Sequence, residues 1–274
     1  MSAAVKLAVF GAVLALLFGA AALAGGAVGP LRDEAAADSD SMMGEAMDAV
    51  RGLAVSDDRF ILQLAQRAAA PAKSFELAFR VRDTNGATVR DFDIEHTKRM
   101  HVIVVRRDFT DFQHVHPRMA ADGTWRVPVT LHEAGAYRVF ADFSVDDTPH
   151  TLADDIAADG AVAWHALPPA STTSTSDGFR VRLLESPQHA EEEAPLRFVV
   201  TRAGQRVHLQ NYLGAKGHLV ALRQGDLAYL HVHPDANTLT FEATFPSVGR
   251  YRLFLQFKVD GRVHTAAFTQ EVAR

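Results

Sequence analysis

Eight of the thirteen histidines fall into two sets with matching spacing: His101, His114, His116 and His150, then His218, His231, His233 and His264. The spacing of 13 and then 2 residues is the same in both sets for the first three members. In an extended strand, residues i and i+2 share a face, so His114 aligns with His116 and His231 with His233 without help from the rest of the fold. Neutral imidazole nitrogen suits Cu(II), Zn(II) and Ni(II), so each set is a candidate site for a copper or zinc ion. Cysteine is absent, which removes thiolate ligands, disulfides, iron–sulfur clusters and cysteine nucleophiles together. The His-x-His pairs lack the glutamate of a cupin motif, since Ala121 and Thr238 stand where it would fall. No Ser-His-Asp arrangement or phosphate-cradling glycine loop is present either, so a binding protein is expected ahead of a metalloenzyme. The competing interpretation is structural: His-Pro at a strand end, with ring nitrogens bonded to backbone carbonyls.

Two hairpins must position these rings. The apolar runs Val102–Val105 and Leu219–Leu222 each lead through a turn to Phe112–Pro117 or Tyr229–Pro234. A turn centred between Gly225 and Asp226 pairs residues whose numbers total 451, which sets His218 opposite His233. A turn centred between Asp108 and Phe109 likewise sets His101 opposite His116. His150 and His264 belong to the next hairpin downstream and are kept as the fourth candidate of each set, while His96 is a further candidate for the first set alone.

The histidines are part of a wider repeat. Gly135-Ala136-Tyr137-Arg138-Val139-Phe140 answers Gly249-Arg250-Tyr251-Arg252-Leu253-Phe254, and Leu77–Val81 answers Leu196–Val200. A unit this long is a duplicated domain rather than a solenoid turn. Alternation such as Leu77, Phe79, Val81 and turn pairs such as Asp260-Gly261 mark short strands. The expected fold is therefore all-β: two tandem immunoglobulin-like β-sandwich domains after an N-terminal transmembrane helix or signal segment. The boundaries expected are an anchor or signal at 1–30, an acidic stalk at 31–52, a first module at 53–167, a Pro/Ser/Thr linker at 168–176 and a second module at 177–274.

No charged residue lies between Lys6 and Arg32, and residues 7–28 are apolar over a length that can cross a bilayer. Ala22-Leu23-Ala24 also fits a signal-peptidase site, so cleavage near Ala24 and secretion is the alternative to an uncleaved anchor. Either route exports the bulk of the chain. A net charge of −5, with no block of Lys and Arg, excludes a nucleic-acid partner from the expectations. The run from Tyr212 to Pro234, together with Met100-His101 and Phe112–Pro117, resembles a family of exported, single-anchor actinobacterial proteins often labelled secreted or heavy-metal-associated. The resemblance covers nearly the whole chain and implies a membrane-anchored, extracytoplasmic protein with tandem β modules. It carries no activity over to particular residues. The leading expectation is a copper or zinc buffer, sensor or delivery protein that works with a metal-handling protein partner. The alternative is a tandem interaction module whose histidines are structural.

Overall fold

The computed structural model describes residues 50–185, 188–230 and 232–274, without the side chain of His233. The anchor or signal segment and all but the end of the stalk therefore lie outside the described residues, as does His231. Among the described residues there is no helix.

The first module contains β1 (Phe60–Leu64), β2 (Ala68–Ala69), β3 (Ser74–Asp83), β4 (His101–Arg106), β5 (Phe112–Val115), β6 (Arg118–Met119), β7 (Trp125–Thr130), β8 (Gly135–Val145) and β9 (Thr148–Ala158). The second contains β10 (Thr173–Ser176), β11 (Phe179–Leu183), β12 (Gln188–His189), β13 (Glu193–Arg202), β14 (Gln205–Arg206), β15 (Gly217–Arg223), β16 (Tyr229–Leu230), β17 (Val232–Pro234), β18 (Thr240–Thr244), β19 (Gly249–Val259) and β20 (Arg262–Ala273). One sheet of each module runs β1-β3-β7-β6 or β10-β11-β13-β18-β17. The other runs β2-β9-β8-β4-β5 or β12-β20-β19-β15-β16. This is the two-sheet order of an immunoglobulin-like sandwich, present twice. Tyr137, near the start of β8, and Tyr251, near the start of β19, each donate a hydroxyl hydrogen bond to the carbonyl four residues back, Glu133 at 2.9 Å and Ser247 at 3.0 Å. That is the tyrosine corner of such sandwiches.

Thr173–Ser176 was expected as part of an unstructured linker, and the structure corrects this. These residues form β10, paired antiparallel with β11 from Thr173↔Arg182 to Ser176↔Phe179. The strand sits at the sheet edge, where a polar, β-branched sequence pairs without burying both faces.

Strand patterns divide into two kinds. β1, β7 and β11 alternate buried and exposed residues, as strands with one solvated face do. β4 is buried at every position, and β15 at all but its last residue. Their inward residues, Val102 and Val104 or Leu219 and Ala221, enter the cores of their own sandwiches. Their outward residues, Ile103 and Val105 or Val220 and Leu222, meet one another in a third core with Phe140, Ala153, Tyr229 and Phe254. The two β4/β15-bearing sheets thus pack face to face, and residues Val50–Arg274 form one unit.

The junction has the internal logic of a twofold interface built from the repeat. Phe112 stacks on Phe254 with ring centroids 4.0 Å apart, and its exchange partner, Tyr229 with Phe140, lies at 5.5 Å. The chain entering the first module straps the junction: Arg51 bridges to Tyr229, the Gly52 amide donates to the Thr151 carbonyl at 3.0 Å, and Ala153 donates to Ala54 at 2.8 Å. Gly52 has φ +71°, and a Cβ there would lie 2.7 Å from the Phe140 ring and 2.9 Å from Tyr229, so glycine is needed on both counts.

Candidate metal centre

The β4–β5 ladder pairs Val102 with Val115 and Ile103 with His114, the register that sets His101 opposite His116. The β15–β16 ladder pairs Ala221 with Leu230 and Leu222 with Tyr229, the register inferred from the Gly225-Asp226 turn. Paired residues share a face, so His114 projects with Ile103, and His101 lies on that side because it is two residues away. This is the face turned toward the second module.

His101, His114 and His116 converge so that one ring nitrogen from each lies within 4.8 Å of the others. The ring centroids are 5.3 Å apart for His101 and His114, 5.0 Å for His101 and His116, and 4.7 Å for His114 and His116. His218 joins them from the second module, nearly parallel to His101 at 5.6 Å and 4.7 Å from His114. His96, on the turn before β4, packs edge-on to His101 at 6.0 Å and to His218 at 5.7 Å. Five imidazoles from both modules therefore gather at the junction, and three of them, His101, His114 and His116, converge as ligand nitrogens; the sequence placed His218 in a separate set with the second module, where the structure sets it against the first.

His150 and His264 do not reach it, and strand parity is the reason. His101 pairs with Asp142 and His218 with Gln256, while His150 pairs with Phe143 and His264 with Phe257, one position along the same strands. A one-residue step turns a side chain to the opposite face of the sheet. His150 therefore sits inside its sandwich, against Phe60 and Phe143, with Nδ1 2.6 Å from the Asp57 carboxylate. His264 repeats this with Phe179, Phe257 and Asp177, at 2.8 Å. In the second set, His231 lies outside the described residues. The backbone of His233 is paired with Glu242 in the opposite sheet.

The partners of the rings assign their protons. Nε2 of His101 lies 3.1 Å from the Glu95 carbonyl oxygen, which can only accept, so this nitrogen carries the proton. Nδ1 of His114 lies 2.6 Å from Oε1 of Gln256 and donates to it when the Gln256 amide is turned with its nitrogen toward Thr265 Oγ1, 3.4 Å away. In that arrangement the single N–H of each neutral imidazole leaves lone pairs on Nδ1 of His101 and Nε2 of His114. Those two nitrogens face each other at 3.1 Å. In addition, Nε2 of His116 and Nε2 of His218 are buried with no hydrogen-bond partner.

Electrostatics favour the neutral form of His101, His114, His116 and His218. Burial holds His114 and His218 well below the ordinary imidazole range, and the neighbouring imidazoles add to the effect. Burial lowers His116 to about 4, with His101 and Lys98 contributing. His101 is also lowered by burial, against the opposing pull of Asp142 and the Glu95 carbonyl. Glu95 is raised, first by burial and then by Asp142. Neutral imidazole is the form that ligates a metal.

Gln256, Asp142 and the Glu95 carbonyl are the supporting groups that sequence reasoning did not place. Strand pairing offers a signal for the first two: each sits opposite the first histidine of a set, and Thr151 Oγ1 fixes Asp142 with a 2.7 Å hydrogen bond. Metal-bound histidines usually donate the distal N–H to a carbonyl or carboxylate, and His101 and His114 already do so to oxygen acceptors.

Fold and site together define a tandem immunoglobulin-like β-sandwich protein with a histidine cluster at the junction of its modules. The chain belongs to the family described as "Domain of unknown function (DUF8832)", whose model matches it twice, over residues 54–160 and 173–274. No curated protein matches it. Similar solved structures include a Salmonella alpha-2-macroglobulin variant, at 15% identity and TM-score 0.28, covering 82% of this chain and 15% of that one. Another is FdeC, described as an Escherichia coli adhesin, at 12% identity and TM-score 0.28, covering 81% of this chain and 66% of that one. Invasin, described as a bacterial integrin-binding protein, is 14% identical with TM-score 0.22, covering 78% and 39%. The chain spans only part of the length of each of these proteins.

Proposed function

We propose that this is an extracytoplasmic metal-binding protein, tethered through residues 7–28, that holds copper or zinc on His101, His114 and His116 and exchanges it with a metal-handling partner. The observation carrying this reading is the convergence of His101, His114 and His116, one ring nitrogen of each within 4.8 Å of the others, with Nδ1 of His101 and Nε2 of His114 facing each other at 3.1 Å. Where both nitrogens present lone pairs, a proton or a metal cation between them relieves their repulsion. Two nitrogens on one tetrahedral zinc, each ~2.0–2.1 Å from it, would stand about 3.3 Å apart.

A second reading has its own support. Two repeated sandwiches with Trp164 exposed at 70% and Val162 at 62% on the connecting segment also suit a module that binds another protein, with the imidazoles serving the junction. Calorimetric titration of the full chain with Zn(II) and Cu(II) separates the two. The metal reading expects a dissociation constant below about 1 µM, weakened about a hundredfold or more by His114→Ala. Binding no tighter than that of a surface histidine pair, and unchanged in His114→Ala, would leave the interaction module standing.

A further inference from the structure

Resting on the metal reading, we infer that the site belongs to neither module alone: His218 supplies a ligand from the second module, and one bound ion clasps the two sandwiches together. Three observations carry this. The His218 ring stacks parallel to that of His101 at 5.6 Å and on that of His114 at 4.7 Å, directly against the three histidines whose nitrogens converge. Its Nε2 is buried without a partner, and a buried polar atom in that condition costs stability unless something occupies it. Moreover, the group that assigns the tautomer of His114 is Gln256, also from the second module, so the first module lacks part of its own ligand shell.

The class of occupant follows from the donor set. Imidazole nitrogen alone, without thiolate, takes a divalent ion of the late first row such as Zn(II) or Cu(II). A three-histidine site leaves a fourth position open, and a fourth imidazole closes it. Because ligands come from both sheets, loading and docking are linked: the ion favours the docked junction, and the docked junction raises affinity for the ion. The strap at Val50–Ser56 crosses the same junction through Arg51 and Gly52, so the segment arriving from the N-terminal side is coupled to loading as well. The chain then holds one ion at this site rather than one per module.

Hydrogen exchange on the full chain with and without Zn(II), together with zinc stoichiometry and affinity, tests this. The expected result is one ion per chain, with protection gained in both His101–Arg106 and Gly217–Arg223. His218→Ala should weaken zinc by about tenfold or more, at least the range seen when only a supporting partner is lost, whereas the exposed-loop variant His208→Ala should not. The exchange measurement needs no variant, so it stands even if His218→Ala folds poorly. Zinc bound with protection confined to the first module and unchanged affinity in His218→Ala would overturn the clasp while leaving a three-histidine site. Two ions per chain, one of them lost in His218→Ala, would also overturn it. No zinc bound by the unaltered chain would remove the metal reading and the clasp together.

Discussion

At the scale of single residues, the site is governed by which nitrogen carries the proton. Glu95 and Gln256 each take an N–H from one ring and so aim a lone pair of His101 and of His114 at the same point. Replacing Gln256 with leucine removes one of these acceptors, and zinc affinity should fall by about 10–100-fold, while Gln256→Glu, which keeps an acceptor, should recover most of it. Equal affinity in all three proteins, measured by titration, would mean that the tautomer of His114 is immaterial. The same rings make the metal-free chain sensitive to acid. His101, His114, His116 and His218 all titrate lower in the folded protein than the ordinary 6.5, so between that pH and about 4 the unfolded chain binds more protons. Stability is then full above about pH 6.5 and falls as the pH drops through this window, which the thermal midpoint of the metal-free chain against pH will show; a midpoint that rises on acidification contradicts it. The convergence of His101, His114 and His116 was legible from spacing alone. Their supporting acceptors were not, because Gln256 and Glu95 come from a strand and a turn whose placement depends on the packing of the whole junction.

At the scale of elements, β4 and β15 carry the site because both of their faces are buried. An uninterrupted run such as Ile103-Val104-Val105 or Val220-Ala221-Leu222 marks a strand covered on both sides, and that pattern was visible in the sequence as evidence that something packs on the outer face. What covers it was not visible, since no local pattern distinguishes a second module from another chain. The exclusion of His150 and His264 was within reach by the same parity, once Phe143 and Phe257 are recognised as inward-facing. Gly217 begins β15 where the first module has Met100, and a Cβ there would fall 2.5 Å from a Leu239 methyl and 2.7 Å from the Gln256 carbonyl oxygen. Gly217→Ala should therefore destabilise by about 1–3 kcal/mol in denaturant unfolding and weaken zinc by displacing β19. Unchanged stability and affinity would show that β15 and β19 tolerate more room between them than the structure gives.

At the scale of the whole molecule, duplication placed equivalent faces of two sandwiches against each other, so His101 meets its own repeat counterpart, His218, and Phe112–Phe254 is matched by Tyr229–Phe140. The duplication was plain in the sequence, but the docking of its two halves was not, and it brings His218, expected in the second set, against His101 and His114 of the first. Phe254 is 3% exposed in the junction core, and Phe254→Ala should cost about 3–5 kcal/mol and split a single calorimetric transition into two as the modules uncouple. A single transition with an unshifted midpoint would mean that the junction contributes little to cooperativity. Whether the imidazoles at this junction ligate a metal ion is decided by X-ray absorption on the zinc-loaded full chain. Nitrogen scatterers at ~2.0–2.1 Å with the outer-shell signature of at least three imidazoles are expected; a first shell dominated by oxygen, with one imidazole or none, would refute metal ligation at the cluster.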